Sequence, residues 1–268
     1  MSCVARLLLF GLLLVTAGAM AGPDAAKQAE ARQLLELLGV LPLLDQTSNA
    51  VAYAVNAERE ARGASAREAS GWQRSVARRV NDRQLREAII EQVTTTSEAA
   101  ALRHAHALLE QSEARRVRYF EEAMGQRGAA ANLREFLQAP PGRELSPERV
   151  GLLREIGEAS RFTEMVALLQ TLAARAVRQE AGLLTETPPA AEEVALRQRW
   201  LQARLLPWQY YSYRYLKDDD LTAWLGVLRA PPVRHVLDAA VAALRGQIAA
   251  LEAEQDGAQN SAPASGSG

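Results

Sequence analysis

The amino-acid sequence predicts an all-α protein made of two related antiparallel helical units that follow a cleaved signal peptide. Three observations carry this prediction. Apolar residues recur at helical spacing in almost every segment. Alanine, leucine, arginine and glutamate, which are strong helix formers, dominate the composition. A weak internal repeat also relates the two halves of the chain.

The size and charge of the chain set limits on its class. It has 268 residues, 48% of them hydrophobic, so it can bury a sizeable core. The formal net charge is −1, which gives no indication of nucleic-acid binding. We therefore expect no nucleic-acid partner.

The first 21 residues have the pattern of a secretory signal peptide. Arg6 precedes an apolar run, Leu7–Val15, and residues 19–21 read Ala-Met-Ala, a typical cleavage site. The run is too short to span a bilayer comfortably. We expect a periplasmic mature protein without stable membrane insertion. The only cysteine, Cys3, lies within the signal, so the mature chain has no disulfide and no thiolate metal ligand.

Helical patterns follow one another through the first unit, which we place at residues 22–143. Its apolar positions are Leu34, Leu35, Leu38 and Leu41, then Leu43, Leu44, Val51 and Val55, then Val76 and Val80, then Leu85, Ile89 and Val93, then Leu102, Ala105 and Leu109, and last Val117, Phe120 and Met124. Residues 63–65 read as a loop. Asn81 and Asp82 can cap a helix that starts near Arg83.

The second unit, residues 146–254, begins with its own helix signal. Ser146 and Pro147 supply an N-cap followed by proline in the first turn. Proline pairs at 140–141, 188–189 and 231–232 interrupt the helical pattern. After Glu254 the chain is poor in hydrophobic residues, which predicts a disordered tail at 255–268.

The internal repeat pairs positions of the two units at a nearly constant offset. Leu34 and Leu152 lie 118 positions apart, and Leu102 and Leu221 lie 119 apart. The pattern predicts an internal duplication, while generic amphipathic periodicity in a helical chain is the alternative. Two copies are too few for an open solenoid, so we expect two packed helical bundles.

Two segments near the ends of the units resemble a known family. Residues 218–234, DDDLTAWLGVLRAPPVR, combine an acidic turn, an amphipathic helix and a break at small residues and proline, and residues 136–143, FLQAPPGR, end the first unit in a related way. This pattern resembles the exported bacterial family known only as domain of unknown function 2059. The resemblance implies a helical fold and export, but no activity and no catalytic residue. Val233 departs from the glycine that the family has after the prolines.

Recognisable catalytic and metal-binding patterns are absent from the sequence. His104 and His106 lie two positions apart, so on a helix they point about 200° apart and cannot hold one ion together. No nucleophile elbow and no phosphate-binding glycine loop occurs. We predict no catalytic residue, no metal and no cofactor.

Charged clusters have a structural and a functional interpretation. Residues 218–220, three aspartates, start an amphipathic helix and are expected to stabilise its positive end. Arg74, Arg78 and Arg79 could hold an anionic ligand of the cell envelope. The alternative is a solvated face in which Arg83 and Arg86 pair with the nearby residues 87 and 91, both glutamate.

The aromatic stretch at 207–215, PWQYYSYRY, gives the other candidate site. On a helix, Trp208, Tyr211 and Tyr215 share one face, which we expect to meet the core. Tyr210 and Tyr213 then lie toward solvent, where their rings can stack on a sugar or pack against a partner helix. With Arg214, these two tyrosines form the candidate binding residues.

Three functions are compatible with this sequence. The leading one is an exported envelope accessory protein that binds an unknown protein or peptide through a helical groove. The first alternative is a small-ligand or glycan-binding module, and the second is an envelope hydrolase with a single carboxylic acid. A closed pocket with a buried carboxylate beside Trp208, Tyr210 or Tyr213 favours the alternatives, and a long open groove favours the partner protein.

Overall fold

A computed structural model of the protein describes residues 23–124, 129–138, 146–183 and 189–260. These ranges contain thirteen α-helices and no β-strand, which confirms the all-α prediction. The helices are α1 (Pro23–Leu37), α2 (Val40–Leu44), α3 (Thr47–Arg62), α4 (Ala66–Arg79), α5 (Asp82–Thr96), α6 (Ala99–Leu109), α7 (Ser112–Met124), α8 (Ala129–Gln138), α9 (Pro147–Ala159), α10 (Phe162–Glu180), α11 (Ala190–Tyr213), α12 (Asp218–Arg229) and α13 (Pro231–Asn260). The signal peptide, the proline pair at 140–141 and residues 261–268 of the predicted tail lie outside the described residues.

Local chemistry sets several helix ends as the sequence predicts. Asn81 caps α5, its Oδ1 accepting a hydrogen bond from the Gln84 backbone N–H at 3.0 Å. Ser146 caps α9, and its Oγ accepts from the Arg149 backbone N–H at 3.2 Å. Gly63 ends α3 with φ of 65°, a left-handed conformation that glycine adopts without steric cost.

Proline also separates helices in the second unit. Pro189 is the N-cap of α11. Helix α12 ends at Arg229, and α13 begins at Pro231. The last helix then continues to Asn260, six residues past the predicted end of the unit at Glu254. Across the described residues, none of the helices is both long enough and apolar enough to cross a bilayer.

One hydrophobic core joins both predicted units. The central helix is α10, which is buried along most of its length and packs against α3, α4, α9, α11 and α13. The core cluster runs from Ala31 in α1 to Leu251 in α13. Its continuity means that the packing does not stop at the predicted boundary between the units.

The packing partners of the helices follow a reciprocal pattern. Helix α1 packs against α5 and α6, and α9 packs correspondingly against α11 and α12. Helices α7 and α13 each pack against the other predicted unit: α7 packs against α11 and α12, and α13 packs against α5 and α6. The units are therefore interlocked, not laid side by side as separate bundles. A duplicated chain would show such reciprocity, and the duplication stays a prediction.

Candidate functional site

A cavity of about 520 Å³ lies where α7 of the first unit meets α9, α10, α11 and α12 of the second. The α1–α2 turn closes another side through Leu38 and Gly39. Its apolar lining consists of Leu37, Leu38, Pro42, Ile156, Phe162, Met165, Leu205, Trp208, Trp224, Leu228 and Leu237. The volume falls in the range of sites for small organic molecules.

Two paired polar side chains, the buried Tyr213 and the half-buried Glu121, lie in the wall of this cavity. The hydroxyl of Tyr213, at the end of α11, donates a hydrogen bond to Oε1 of Glu121 on α7. Burial raises the pKa of Glu121 to about 7, although the Tyr213 hydrogen bond and the Arg118 charge act in the opposite direction. Burial and the neighbouring carboxylate raise the pKa of Tyr213 well above its ordinary value. Near neutral pH, the Glu121 carboxyl can therefore donate or accept a proton.

The charges around the cavity are mostly negative. Among the described residues that line it, Arg118 is the only cationic side chain, and Glu36, Glu121 and Glu122 are the carboxyls. Nη2 of Arg118 donates to the Leu109 carbonyl at 2.9 Å and to Oε1 of Glu110 at 3.3 Å. Nη2 of Arg118 is thus engaged outside the cavity, while its Nε is buried without an acceptor among the described residues. With three carboxyls against one guanidinium, the lining is better suited to a neutral or cationic group than to an anion.

Trp224 contributes an unused hydrogen-bond donor next to the cavity. Its indole N–H is buried and has no acceptor within the described part of the chain. Buried donors in proteins are nearly always paired. An acceptor on a bound molecule, reached by a small adjustment of the ring, would satisfy it.

The structure places the predicted aromatic residues differently from the sequence prediction. Tyr213 was expected to face solvent but is only 4% exposed, because its hydroxyl turns into the cavity wall and binds Glu121. Tyr215 was expected in the core but is 71% exposed, because α11 ends at Tyr213 and helical spacing no longer applies beyond it. Tyr211 is buried as predicted, and Trp208 is half-buried in the cavity lining.

Tyr210 and Arg214, the other two candidate binding residues, do not join Tyr213 in the cavity. Tyr210 is half-buried, with its ring 5.5 Å from that of Phe136. The Arg214 guanidinium stacks 3.8 Å from the Tyr211 ring and 4.4 Å from the Tyr215 ring, and it donates to the Tyr211 carbonyl. The three residues therefore do not form one site.

The arginines of α4 are also divided. Arg74 and Arg78 are exposed, but Arg79 pairs with Glu180 at 3.3 Å and with Glu254 at 2.6 Å. Two carboxylates thus already occupy one member of the predicted anion patch. The expected pairing of Arg86 with residue 87 or 91 is wrong, because Arg86 reaches Glu36, Asp45 and Asp82 instead.

The aspartates at 218–220 have the predicted structural role. They form the first turn of α12, and Asp220 Oδ2 accepts from the Lys217 backbone N–H at 3.4 Å. Asp220 also pairs with Arg116 of α7 at 2.7 Å, which ties the two units together. No group of three histidine, cysteine or acidic side chains in the described ranges is arranged to hold a metal ion.

Glu121 is the functional candidate that the sequence did not indicate. It lies in an ordinary helical segment, RYFEEAM, and no motif distinguishes it from Glu122. Its neighbour in space, Tyr213, is 92 positions away along the chain. Only the tertiary contact between α7 and α11 identifies this carboxyl.

Comparison of the chain with protein-family models, with curated protein sequences and with solved structures finds no match. The resemblance of the C-terminal third to domain of unknown function 2059 therefore stays a prediction.

Proposed function

We propose that the protein binds a small amphipathic molecule, with a neutral or cationic polar group, in the cavity between α7 and the second unit. The observation that carries this proposal is the Glu121 carboxyl, which accepts a hydrogen bond from the Tyr213 hydroxyl in a mostly apolar cavity. A buried carboxyl beside Tyr213 favours a ligand over a partner protein at this place. The proposal retains the predicted export, so the ligand would be met in the periplasm.

The apolar lining accounts for the body of the ligand. Trp208, Phe162 and Met165 approach from α11 and α10, and Leu38 approaches from the α1–α2 turn. Burial of apolar surface of the ligand against these side chains would supply most of the binding free energy, at about 25 cal/mol per Å². A ligand with an aliphatic or aromatic body fits this lining, whereas a bare sugar does not.

The polar wall accounts for the head group. An ionised Glu121 attracts a cation, and a protonated Glu121 still offers a hydrogen bond to a neutral hydroxyl or amide. The carboxyls of Glu36 and Glu122 disfavour an anionic head. Selectivity for a cation should therefore appear above the pKa of Glu121 and fade below it.

A dye-displacement assay tests this proposal. The neutral dye N-phenyl-1-naphthylamine should become fluorescent in the cavity, and octylamine, octanol and octanoate should displace it at about pH 8 in that order of potency. At about pH 5 the amine should lose its advantage over the alcohol, because Glu121 is then protonated. Absence of dye uptake would contradict the proposal.

A pair of neighbouring variants separates direct contact from net charge. Glu121→Gln should abolish the preference for octylamine at about pH 8. Glu122→Gln, which removes the same charge from an exposed carboxyl of the same lining, should reduce that preference far less. Both variants keep a side chain of nearly the same volume. An unchanged order of displacement in Glu121→Gln would show that this carboxyl does not determine the preference of the cavity for a cationic ligand.

A second candidate function is acid–base catalysis on the bound molecule. The pKa of Glu121, raised to about 7 by burial, suits a group that both gives and takes a proton. This agrees with the hydrolase alternative, which requires a single carboxylic acid. Release of soluble fragments from peptidoglycan by the wild type, and loss of this release in Glu121→Gln, would support catalysis. Absence of release by the wild type would contradict catalysis, and ligand binding would then be the function of the cavity.

A further inference from the structure

A second concave surface, separate from the cavity, lies on the outside of the molecule. Helix α10 forms its floor through Gln170 and Arg178, Tyr53 of α3 forms one side, and the first half of α11 forms the other. The space has a volume of about 980 Å³. We call this surface the α3–α11 groove.

The groove gathers exposed apolar side chains that are rare elsewhere on the described surface. Tyr53, Leu196 and Trp200 are 65%, 62% and 51% exposed, and all three line it. Leu196 and Trp200 are four positions apart on α11, so they lie on one ridge of the helix. Large apolar side chains that cluster in the open, and not singly, mark sites of interaction.

Cations surround these apolar residues. The groove lining carries four arginines, at 178, 197, 199 and 204, against two glutamates, at 192 and 193. Glu193 is already shared by Arg178 at 3.3 Å and Arg197 at 2.7 Å. Arg199 and Arg204 are exposed and have no carboxylate partner among the described residues. The Arg204 guanidinium lies 4.2 Å from the centre of the Trp200 ring, which places a positive charge directly beside the apolar ridge.

From this arrangement we infer that the α3–α11 groove binds a short acidic segment of another protein, in which carboxylates alternate with aliphatic side chains. The aliphatic side chains would contact Tyr53, Leu196 and Trp200, and the carboxylates would pair with Arg199 and Arg204. Arginine beside tryptophan is a frequent combination in residues that dominate binding energy at protein interfaces. Leu196 and Arg204 are eight positions apart, about 12 Å along the helix, which matches roughly four residues of extended chain or eight of helix.

The shape of the surface favours a polypeptide over a membrane. A bilayer is flat on this scale and meets protruding side chains, whereas the α3–α11 groove is concave and has a helix as its floor. A segment laid between two helices contacts both walls at once. The groove therefore gives the predicted protein or peptide partner a location apart from the small-ligand cavity.

The experiment measures fluorescence anisotropy of a fluorescein-labelled peptide with the repeat Glu-Glu-Leu-Leu. The full chain should bind it, and a Lys-Lys-Leu-Leu peptide should bind at least about tenfold more weakly. Arg199→Gln/Arg204→Gln should weaken binding about fivefold or more, because two charge pairs are lost. Trp200→Ala should weaken it about thirtyfold, as expected for a central aromatic contact.

A matched double variant controls for net charge. Arg83→Gln/Arg103→Gln also removes two exposed charges, but from α5 and α6, and should leave the affinity within about twofold. Equal weakening by the two double variants would overturn the inference, because net charge alone would then explain binding. No binding of the acidic peptide at about 1 mM would also overturn it. So would binding to phosphatidylglycerol vesicles without binding to the peptide, which would assign the groove to a membrane surface.

Discussion

The two halves of α11 contribute to sites of opposite character. Its C-terminal half places Trp208 and Tyr213 in a mostly apolar cavity beside the Glu121 carboxyl. Its N-terminal half places Leu196, Trp200 and Arg204 in an open groove beside exposed cations. Both sites combine aromatic rings with charged side chains, and in the cavity burial also raises the pKa of Glu121.

This difference follows from desolvation. In the cavity, removal of water disfavours the ionised form of Glu121, so the site responds to pH and to the charge of a small ligand. In the groove, the guanidinium groups of Arg199 and Arg204 are exposed to water and accessible to a carboxylate. The cavity is therefore suited to select a small molecule, and the groove to attract an extended acidic partner.

The largest change in the free energy of unfolding is expected at Glu193, a buried carboxylate in the lining of the groove. Glu193 is 7% exposed and accepts from Arg178 and Arg197, while Arg175 lies 3.6 Å away. Glu193→Gln should lower the free energy of unfolding by about 3 to 5 kcal/mol, because neighbouring arginines lose a shared buried counter-charge. Urea denaturation at neutral pH measures this loss.

The adjacent residue gives the control for this prediction. Glu192 also lines the groove but is exposed, so Glu192→Gln should change the free energy of unfolding by less than about 0.5 kcal/mol. Similar losses in both variants would mean that the burial of Glu193 is unimportant, and the groove would then lack a rigid wall.

A smaller change in the free energy of unfolding, which depends on pH, is expected from Glu121 in the cavity. The pKa of Glu121 is about 7 in the folded protein against an ordinary value of 4.5. Below about pH 4.5 both states are protonated and the group contributes nothing. As the pH rises toward 7 the unfolded chain ionises first, so it binds fewer protons and the folded state loses up to about 3 kcal/mol.

Glu121→Gln should remove this loss. The variant should be about 2 to 3 kcal/mol more stable than the wild type at about pH 8 and equally stable at about pH 4. Denaturant unfolding of both proteins across this pH range measures the difference, with Glu122→Gln as the control that follows the wild type. A constant difference at every pH would show that Glu121 has the same pKa in both states.

The helices could be predicted from the sequence because their signals are local. Asn81, Ser146 and Pro231 act within one turn of their own positions, and apolar spacing identifies the faces that form the core. The end of α11 carries no such signal, since Arg214 and Tyr215 are neither glycine nor proline. The prediction therefore extended the helix too far and misplaced Tyr215.

The two sites could not be predicted, because each depends on contacts between distant segments. Glu121 meets Tyr213 only because α7 crosses to the second unit, and Tyr53 meets Trp200 across the groove only because α3 and α11 both pack on α10. Helical spacing shows which side of a helix is apolar but not which apolar side stays uncovered. The exposed ridge of Leu196 and Trp200 is such a case.

The smallest effect concerns that ridge and tests whether the groove is needed for folding. Trp200 is 51% exposed, and its ring forms a cation–π stack with Arg204. Trp200→Ala should therefore cost less than about 1 kcal/mol of unfolding free energy, whereas Trp224→Ala, at a ring only 3% exposed, should cost about 3 to 5 kcal/mol. Thermal and urea unfolding of the two variants side by side measure this contrast.

If Trp200→Ala lowers the free energy of unfolding as much as Trp224→Ala does, the Trp200 ring is required for the fold, and its exposure would give no support to a binding partner. If the cost is small, a large aromatic ring is held at the surface without benefit to stability, as expected for a residue that contacts a partner.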